Sequence, residues 1–583
     1  MKKHYFAWTL ISSIACFLVA CEGGAGEGSK ETDANPLDTI KGSQPNILLI
    51  VADDLGYTDL GVYGGEIETP NLDQLARAGL MLTDFHNQAV CGPTRASILA
   101  GTDNRNAGGA MHQTPNQIGV PGYESHLSRD VVPFPDLLGQ SGYNTYFLGK
   151  WHLGSEPDLL PPARGFDRSY ALMEGFASHF HDKGRFRPDQ LGTYYEDGEF
   201  VESLPEDFFS TDFYTDLLID YLDSDAESGK PWFAYLGYTA PHWPLQAPDE
   251  YIDKYKGVYD EGYEVLREQR IARGKELGVI PQEAVMYPRL PTVSAWDELS
   301  AEEKAVASRE MELYAAMVDG IDQNVGRLLE RLKEIDEYDD TLIIFISDNG
   351  AEGVDRGGPA SGWDNRLENL GRINSYVYYG EKWAQAGVGV GRYHKSLSSE
   401  GGSLGPAFFY HKDMTKKGRM NDEFMAVVDF YPTFVELAGA GHLNKGSSGK
   451  PLHLVQGRSL LPVLFGDEET VREEDFTYGW EVFGHRAIRK GDYKLLWLTS
   501  EPSERGQYVP ELADQWGLYD LSVDPGETND LSDSKPEIRA DLLKEWDAYV
   551  ANNGIVLPIK GPPRGPRPGG PRPGGPGPGG PRN

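Results

Sequence analysis

Residues 46 to 54 read NILLIVADD, and this stretch decides the fold. An unbroken apolar run of strand length, rich in branched side chains, is what a strand buried on both faces requires. It ends on Asp53 and Asp54, and carboxylates delivered at the end of a buried strand point to a site. Three further runs repeat the arrangement. Thr145 to Gly149 leads into Lys150-Trp151-His152, Trp232 to Tyr238 leads into Pro241-His242, and Leu342 to Ser347 leads into Asp348-Asn349-Gly350. Helices are expected between them. TPNLDQLARAG (69–79) reads as a helix begun at Thr69 or Asn71 and closed by Gly79, and Leu313, Met317, Ile321, Val325, Leu328 and Leu332 recur at helical spacing. Strands alternating with helices predict an α/β fold, a large and mostly parallel sheet sandwiched by helices. Ligands of such sheets gather beyond the carboxyl ends of the strands, which brings together Asp53, Asp54, Lys150, His152, His242, Asp348 and Asn349. One Asp-Asp or Asp-Asn-Gly after a strand is ordinarily a turn; four chemically equipped ends at equivalent places make a site.

The 583 residues are too many for one ordinary core and imply two domains with appendages. The formal charge of −36, from 90 acidic and 54 basic residues, argues against nucleic acid as a partner, but it leaves open an anionic substrate drawn to local cations within a cleft. The start carries Lys2 and Lys3, an apolar run from Phe6 to Ala20 and then Leu18-Val19-Ala20-Cys21, the pattern of a bacterial lipoprotein signal peptide. The expectation is an exported protein held at the cell envelope by lipid on Cys21, with residues 1–20 removed and 21–44 acting as a flexible tether. The main domain is expected over 45–455. From about Gln456 the texture changes: HRAIRKGDYKLLWL (485–498) reads as a hairpin turning at Lys490-Gly491-Asp492, and Glu537 to Asn552 reads as a terminal helix. These give a smaller C-terminal α+β domain over 456–558, followed by a Gly/Pro/Arg tail over 559–583 that cannot bury a core.

With Cys16 removed in the leader and Cys21 taken up by lipid, Cys91 is the one cysteine left for chemistry, so no disulfide is expected within the mature chain. It opens CGPTRASILAG (91–101), follows Asn87-Gln88-Ala89-Val90 in what reads as an exposed setting, and precedes a Gly-Pro helix start. Pro93 fits the first turn of a helix whose N-terminus favours negative charge developing beside residue 91. A hard divalent cation wants several oxygens, which Asp53, Asp54, Asp348 and the Asn349 amide can supply. A thiolate suits such a cation poorly, a physical reason to expect that Cys91 is converted into an oxygen ligand.

The Cys91-x-Pro93-x-Arg95 frame resembles the signature of the type I, formylglycine-dependent sulfatases of the alkaline phosphatase superfamily. The resemblance runs from NILLIVADDLGYTDLG (46–61) through FLGKWHLG (147–154), TAPHWPLQAP (239–248) and SDNGAEG (347–353), and EKWAQAGVGVGRYHKSLSSEGG (381–402) is similar to the arylsulfatase branch around its active-site lysine. It implies one Ca²⁺ per chain, with Mg²⁺ as the alternative, bound by Asp53, Asp54, Asp348, Asn349 and residue 91. It also implies that a maturation enzyme oxidises Cys91 to formylglycine, whose hydrated aldehyde attacks the sulfur of a sulfate ester. By the same resemblance Arg95 holds the hydrate, with Lys150 and His152 beside it, His152 takes the proton from the second hydroxyl so that sulfate is expelled, and His242 and Lys395 bind sulfate oxygens and assist the leaving group. His394, adjacent to Lys395, is the competing choice for that last position.

The implied substrate is an aryl, alkyl or carbohydrate sulfate, either a small molecule or a glycan. The alternatives are a phosphonate or phosphate ester hydrolase of the same superfamily and a non-catalytic lipoprotein that binds sulfated glycans. Segments 174–195, 259–297 and 355–379 are expected to shape the leaving-group pocket, with Arg185, Arg187, Arg366 and Arg372 as candidate contacts.

Overall fold

The structure is a computed structural model, and it describes residues 36–111, 114–354, 362–499 and 515–559. The segment read as a signal peptide, Cys21, and the tail beyond Ile559 lie outside the described residues. Among the described residues no helix is long and apolar enough to cross a membrane.

The apolar runs fold as the strands Asn46–Ala52, Asn144–Lys150, Trp232–Gly237 and Thr341–Ser347. Together with Arg168–Leu172 they make the parallel centre of a ten-stranded sheet, in the spatial order Thr341–Ser347, Asn46–Ala52, Trp232–Gly237, Asn144–Lys150, Arg168–Leu172. The flanks are mixed: Ala407–Tyr410 runs antiparallel to Thr341–Ser347 on one side, and Tyr194–Glu196 runs antiparallel to Arg168–Leu172 on the other. Successive residues of one strand face opposite ways. Leu48 and Ile50 therefore enter a core that includes Leu72, Leu218, Met311 and Met317, while Ile47, Leu49 and Val51 enter a second core that includes Leu138, Ile98, Phe430 and Phe434.

The first core is organised by the helix Ala301–Glu334, 34 residues and so about 51 Å long. Ser300 caps it by accepting from the Glu303 N–H, and acidic residues in its first turn and basic ones in its last suit the helix dipole. The predicted stripe Leu313, Met317, Ile321, Val325, Leu328 and Leu332 is buried throughout. On the opposite face the helix Cys91–Ala100 lies in the second core with Phe134–Gln140 and Phe430–Leu437.

A second sheet follows in simple sequence order, Thr477–Val482, His485–Lys490, Tyr493–Trp497 and Gly517–Asp520, all antiparallel. The Lys490-to-Tyr493 pairing leaves Gly491-Asp492 as a two-residue loop, and Gly491 takes the positive φ (56°) that such a loop needs. Helix Pro536–Asn552 covers this sheet, with Leu542 and Trp546 on Ile488, Leu495 and Leu518. Sequence reading missed the first hairpin, because TYGWEV ends on Phe483-Gly484 and lacks an Asn-Gly or Asp-Gly turn signal. The stretch read as a tether is packed at its end: Pro36–Ile40 is a helical turn, Ile40 is buried, and the Gln44 amide donates to the Ser141 and Ala438 carbonyls. Ile40 and Gln44 find partners that a polar, Gly-rich composition did not reveal.

Candidate active site

The parallel strands deliver their ends to one place. Asp53 and Asp54 follow Asn46–Ala52, Lys150 closes Asn144–Lys150 with His152 two residues on, and Asp348 and Asn349 follow Thr341–Ser347. His242 lies beyond Trp232–Gly237, flanked by cis Ala240-Pro241 and Trp243-Pro244 bonds. Cys91 is the first residue of its helix and Arg95 lies one turn on. A Cβ at Gly149 would sit 1.9 Å from the Gly237 carbonyl oxygen, so these two strand ends close up because residue 149 has no side chain. Asp54, Ala89, His152 and Ser396 all hold left-handed backbone conformations, with φ of 70°, 60°, 57° and 76°. Such conformations persist where the surroundings over-determine them, and here they adjoin or carry the side chains of the site.

Three cations face three carboxylates, all buried. Lys150 Nζ lies 2.5 Å from Asp53 Oδ2, Arg95 Nε 2.9 Å from Asp348 Oδ2, and Lys395 Nζ 2.7 Å from Asp54 Oδ1. Arg95 Nη1 also donates to the Lys150 carbonyl at 2.6 Å, and its buried Nη2 has no hydrogen-bond partner. Burial works against the charge on Lys150 and Lys395, but Asp53 beside the first and Asp54 and Glu352 beside the second hold both above the ordinary lysine value. Burial pushes Asp53 well up; Lys150 opposes this, and the like charges of Asp348 and Asp54 add to it.

This arrangement fits a divalent cation. Asp53 Oδ1 and Asn349 Oδ1 are buried without hydrogen-bond partners, while Asn349 Nδ2 donates to Asp54 Oδ1 at 2.7 Å and so turns the amide oxygen the other way. Ligand atoms of Asp53, Cys91 and Asp348 lie within 4.8 Å of one another, as do those of Asp53, Asp54 and His242. Orphaned hard oxygens among repelling carboxylates are what a hard cation satisfies.

Cys91 is buried, at 3% exposure, which corrects the exposed setting read from its flanking sequence. Val90, Met111, Val482 and Phe483 enclose it, and the last two come from the missed hairpin. Its Sγ lies 3.3 Å from His152 Nδ1. Burial, opposed by Lys150 and Lys395, raises the thiol pKa. Burial, and then the charges of Lys150, Arg95, Lys395 and Arg185, hold His152 well below the usual histidine value, so the ring is neutral and able to take a proton. His242 is also neutral, lowered by burial and then by Lys395 and Lys150. Its Nδ1 meets the Trp243 carbonyl at 2.7 Å; a carbonyl only accepts, so Nδ1 carries the proton and Nε2, 3.5 Å from Asp54 Oδ2, is left to accept.

All the predicted catalytic and metal-binding residues meet here, and His394 does not: its ring stacks into the space over Gly353, with Nδ1 on the Lys395 carbonyl and Nε2 toward Glu381. Two features escaped the sequence. Glu352, read only as part of SDNGAEG, pairs with Lys395 at 3.0 Å and accepts from Trp243 Nε1 at 3.3 Å. An aromatic wall of Phe176, Trp243, Tyr376 and Tyr378, with Phe186 and Trp363 against it, rises beside His242. Of the segments expected to shape the pocket, 174–195 and the described part of 355–379 contribute to this wall, whereas Tyr259, Tyr263 and Trp296 of 259–297 pack on Trp383 in a separate aromatic cluster.

A family model described as Sulfatase matches residues 45–440, and one described as N-sulphoglucosamine sulphohydrolase, C-terminal, matches 391–549. An uncharacterized sulfatase of Schizosaccharomyces pombe is 41% identical over 537 residues, covering 88% of this chain and 94% of its own. The arylsulfatase of Klebsiella aerogenes is 38% identical over 436 residues, covering 72% and 92%. Among solved structures, that of Ps i-CgsB in complex with k-i-k-neocarrahexaose matches with a TM-score of 0.62 at 26% identity, over 88% of this chain and 94% of that one. A buried carboxylate and cation cluster at the ends of parallel strands, in a chain matched over most of its length by these proteins, places it in the sulfatase family of the alkaline phosphatase superfamily, as an enzyme that hydrolyses sulfate esters.

Proposed function

We propose that this hydrolysis runs through formylglycine made from Cys91, with Ca²⁺, or Mg²⁺ in its place, held by Asp53, Asp54, Asp348 and Asn349. The observation that carries the reading is the position of Cys91: at a helix N-terminus, 3.3 Å from a neutral histidine, and among hard oxygen donors that suit a thiolate poorly. Formylglycine at residue 91 would supply an aldehyde hydrate, one hydroxyl of which would displace the ester oxygen from sulfur and the second of which would allow sulfate to be released, and a cation held by Asp53, Asp54, Asp348 and Asn349 would draw charge from the sulfuryl oxygens.

The remaining work falls to the chain. His152, neutral and nearest to residue 91, accepts the proton that must leave the second hydroxyl. Arg95 orients residue 91 with its unpaired Nη2, held in place by Asp348 and the Lys150 carbonyl. Lys150 and Lys395 keep their charges and stabilise the sulfuryl oxygens in a water-poor pocket. Of the two groups assigned to the departing oxygen, Lys395 is the one with a proton to give; His242 accepts and orients through Nε2.

The substrate is an aryl, alkyl or carbohydrate sulfate. The leader supports an envelope lipoprotein anchored through Cys21, matured by a formylglycine-generating enzyme before or during export. Mass spectrometry of the peptide containing residue 91, from protein made with and without such an enzyme, tests the mechanism. The expected result is the aldehyde mass at residue 91 in the active preparation alone. Full activity in protein that retains the thiol would sink the proposal.

A further inference from the structure

We propose that Arg185 and the aromatic wall on which it rests form a leaving-group subsite for a sulfated sugar that carries a second anionic substituent. The proposal rests on the sulfate-ester reading and extends it to the other end of the substrate.

Of the four arginines singled out as candidate contacts, three are solvated. Arg187 pairs with Asp189, Arg366 with Asp364, and Arg372 with Asp249, their side chains 61%, 71% and 50% exposed. Arg185 is 19% exposed, and its guanidinium lies 5.1 Å from the centre of the Phe176 ring. Its neighbouring carboxylate, Glu174, stands 3.6 Å away, beyond hydrogen-bond length, with its two oxygens already accepting from the Thr193 N–H and Oγ1 at 2.8 Å. The buried Nε of Arg185 has no hydrogen-bond partner. A guanidinium presents its donors as a fork suited to an oxyanion, and here that fork is held by stacking and left incompletely paired.

Its place ties it to the chemistry. Gly175 runs against His152: a Cβ there would lie 2.8 Å from the ring's Cε1. The next residue, Phe176, lies parallel to the His242 ring with centroids 5.8 Å apart, and 4.2 Å from Trp243. Residues 175 and 176 thus touch both histidines, and Arg185 sits on the second of them.

A sugar ring has an apolar face and a polar rim, which Trp and Tyr side chains match with an apolar body and a polar tip. An aryl or neutral leaving group would use the wall and leave the Arg185 fork unanswered. A carboxylate or a second sulfate on the sugar supplies the oxyanion that answers it; these are two sources of one chemistry.

The test compares wild type, Arg185→Lys, Arg185→Ala and the control Arg187→Ala, all matured with formylglycine. The substrates are 4-nitrophenyl sulfate, a monosulfated neutral sugar, a disulfated sugar and a monosulfated disaccharide containing a uronate. Arg185→Ala is expected to lose about tenfold or more in kcat/KM, mainly through KM, on one or both doubly anionic substrates, as for the loss of one charged hydrogen bond. It should stay within about twofold on the first two substrates. Arg185→Lys should fall between wild type and Arg185→Ala, and Arg187→Ala should match wild type. Whichever doubly anionic substrate suffers more identifies the anion. Equal losses on all four substrates, with a lowered Tm, would assign Arg185 to structure and overturn the proposal, as would no loss on any. Failure of the wild type to turn over any sulfate ester is a separate outcome, which removes the sulfate-ester reading and this subsite with it.

Discussion

Gly175 and Lys395 are the positions where a single side chain bears most directly on the site. A methyl group at 175 would lie 2.8 Å from His152 Cε1 and must displace the ring that faces residue 91. Gly175→Ala is therefore predicted to cost on the order of 10² in kcat, because small displacements of a positioned group cost that much, while thermal stability stays near wild type. Steady-state kinetics beside a melting curve checks both halves. Lys395→Ala should lose about two decades in kcat or more, the scale of one lost oxyanion donor. His394→Ala should lower stability more than rate, because that ring fills space over Gly353 and bonds the Lys395 carbonyl. At this scale the sequence was informative where chemistry sits at strand ends: Asp53, Asp54, Lys150, Asp348 and Asn349 follow from the position of the apolar runs alone. It offered Arg185 only as one of four candidate contacts and gave no separate role to Glu352 or Phe176, because loop residues have no periodicity and their partners lie far along the chain.

Among elements, the hairpin of Thr477–Val482 and His485–Lys490 links the smaller sheet to the chemistry, since Val482 and Phe483 close over Cys91. His485 begins its second strand. The buried Nδ1 accepts from the Thr499 N–H at 3.2 Å, and burial, with Arg486 and His394 nearby, pushes the ring down to about 3. The folded value lies below the unfolded one near 6.5, so the unfolded chain takes up the proton first. The contribution to stability is then full above pH 6.5 and is lost as pH falls from there toward 3. Between pH 7 and pH 5 the loss from this one group is about 2 kcal/mol. Denaturant unfolding of wild type and His485→Gln at both pH values should show a smaller fall for the variant; equal falls would contradict the assignment. The long helix Ala301–Glu334 was readable from its 3.6-residue stripe and cap, whereas the first strand of this hairpin, carrying no turn signal, was not.

At the scale of the whole molecule, two cores flank one sheet, and the sheet's carboxyl edge holds like charges that the protein's own cations balance only in part. Binding a divalent cation there stabilises the folded state by linkage. Chelation is predicted to lower Tm together with activity, and Ca²⁺ to restore both; an unchanged Tm with lost activity would place the metal on the substrate instead. The parallel centre of the sheet was legible because buried strands announce themselves as apolar runs, while its antiparallel flanks, built from strands as short as Glu199–Phe200 and Leu80–Leu82, carry too few residues for a pattern. The charge of −36 argued against nucleic acid but could not locate the cations that matter, which are buried at the strand ends. The most direct test of the central claim is the ratio of kcat/KM for 4-nitrophenyl sulfate and a matched phenylphosphonate ester, measured on formylglycine-matured enzyme with Cys91→Ala as blank. A strong preference for the sulfate ester and no turnover above background in the variant are expected; a preference for the phosphonate, or substantial turnover by Cys91→Ala, would contradict formylglycine-dependent sulfate-ester hydrolysis.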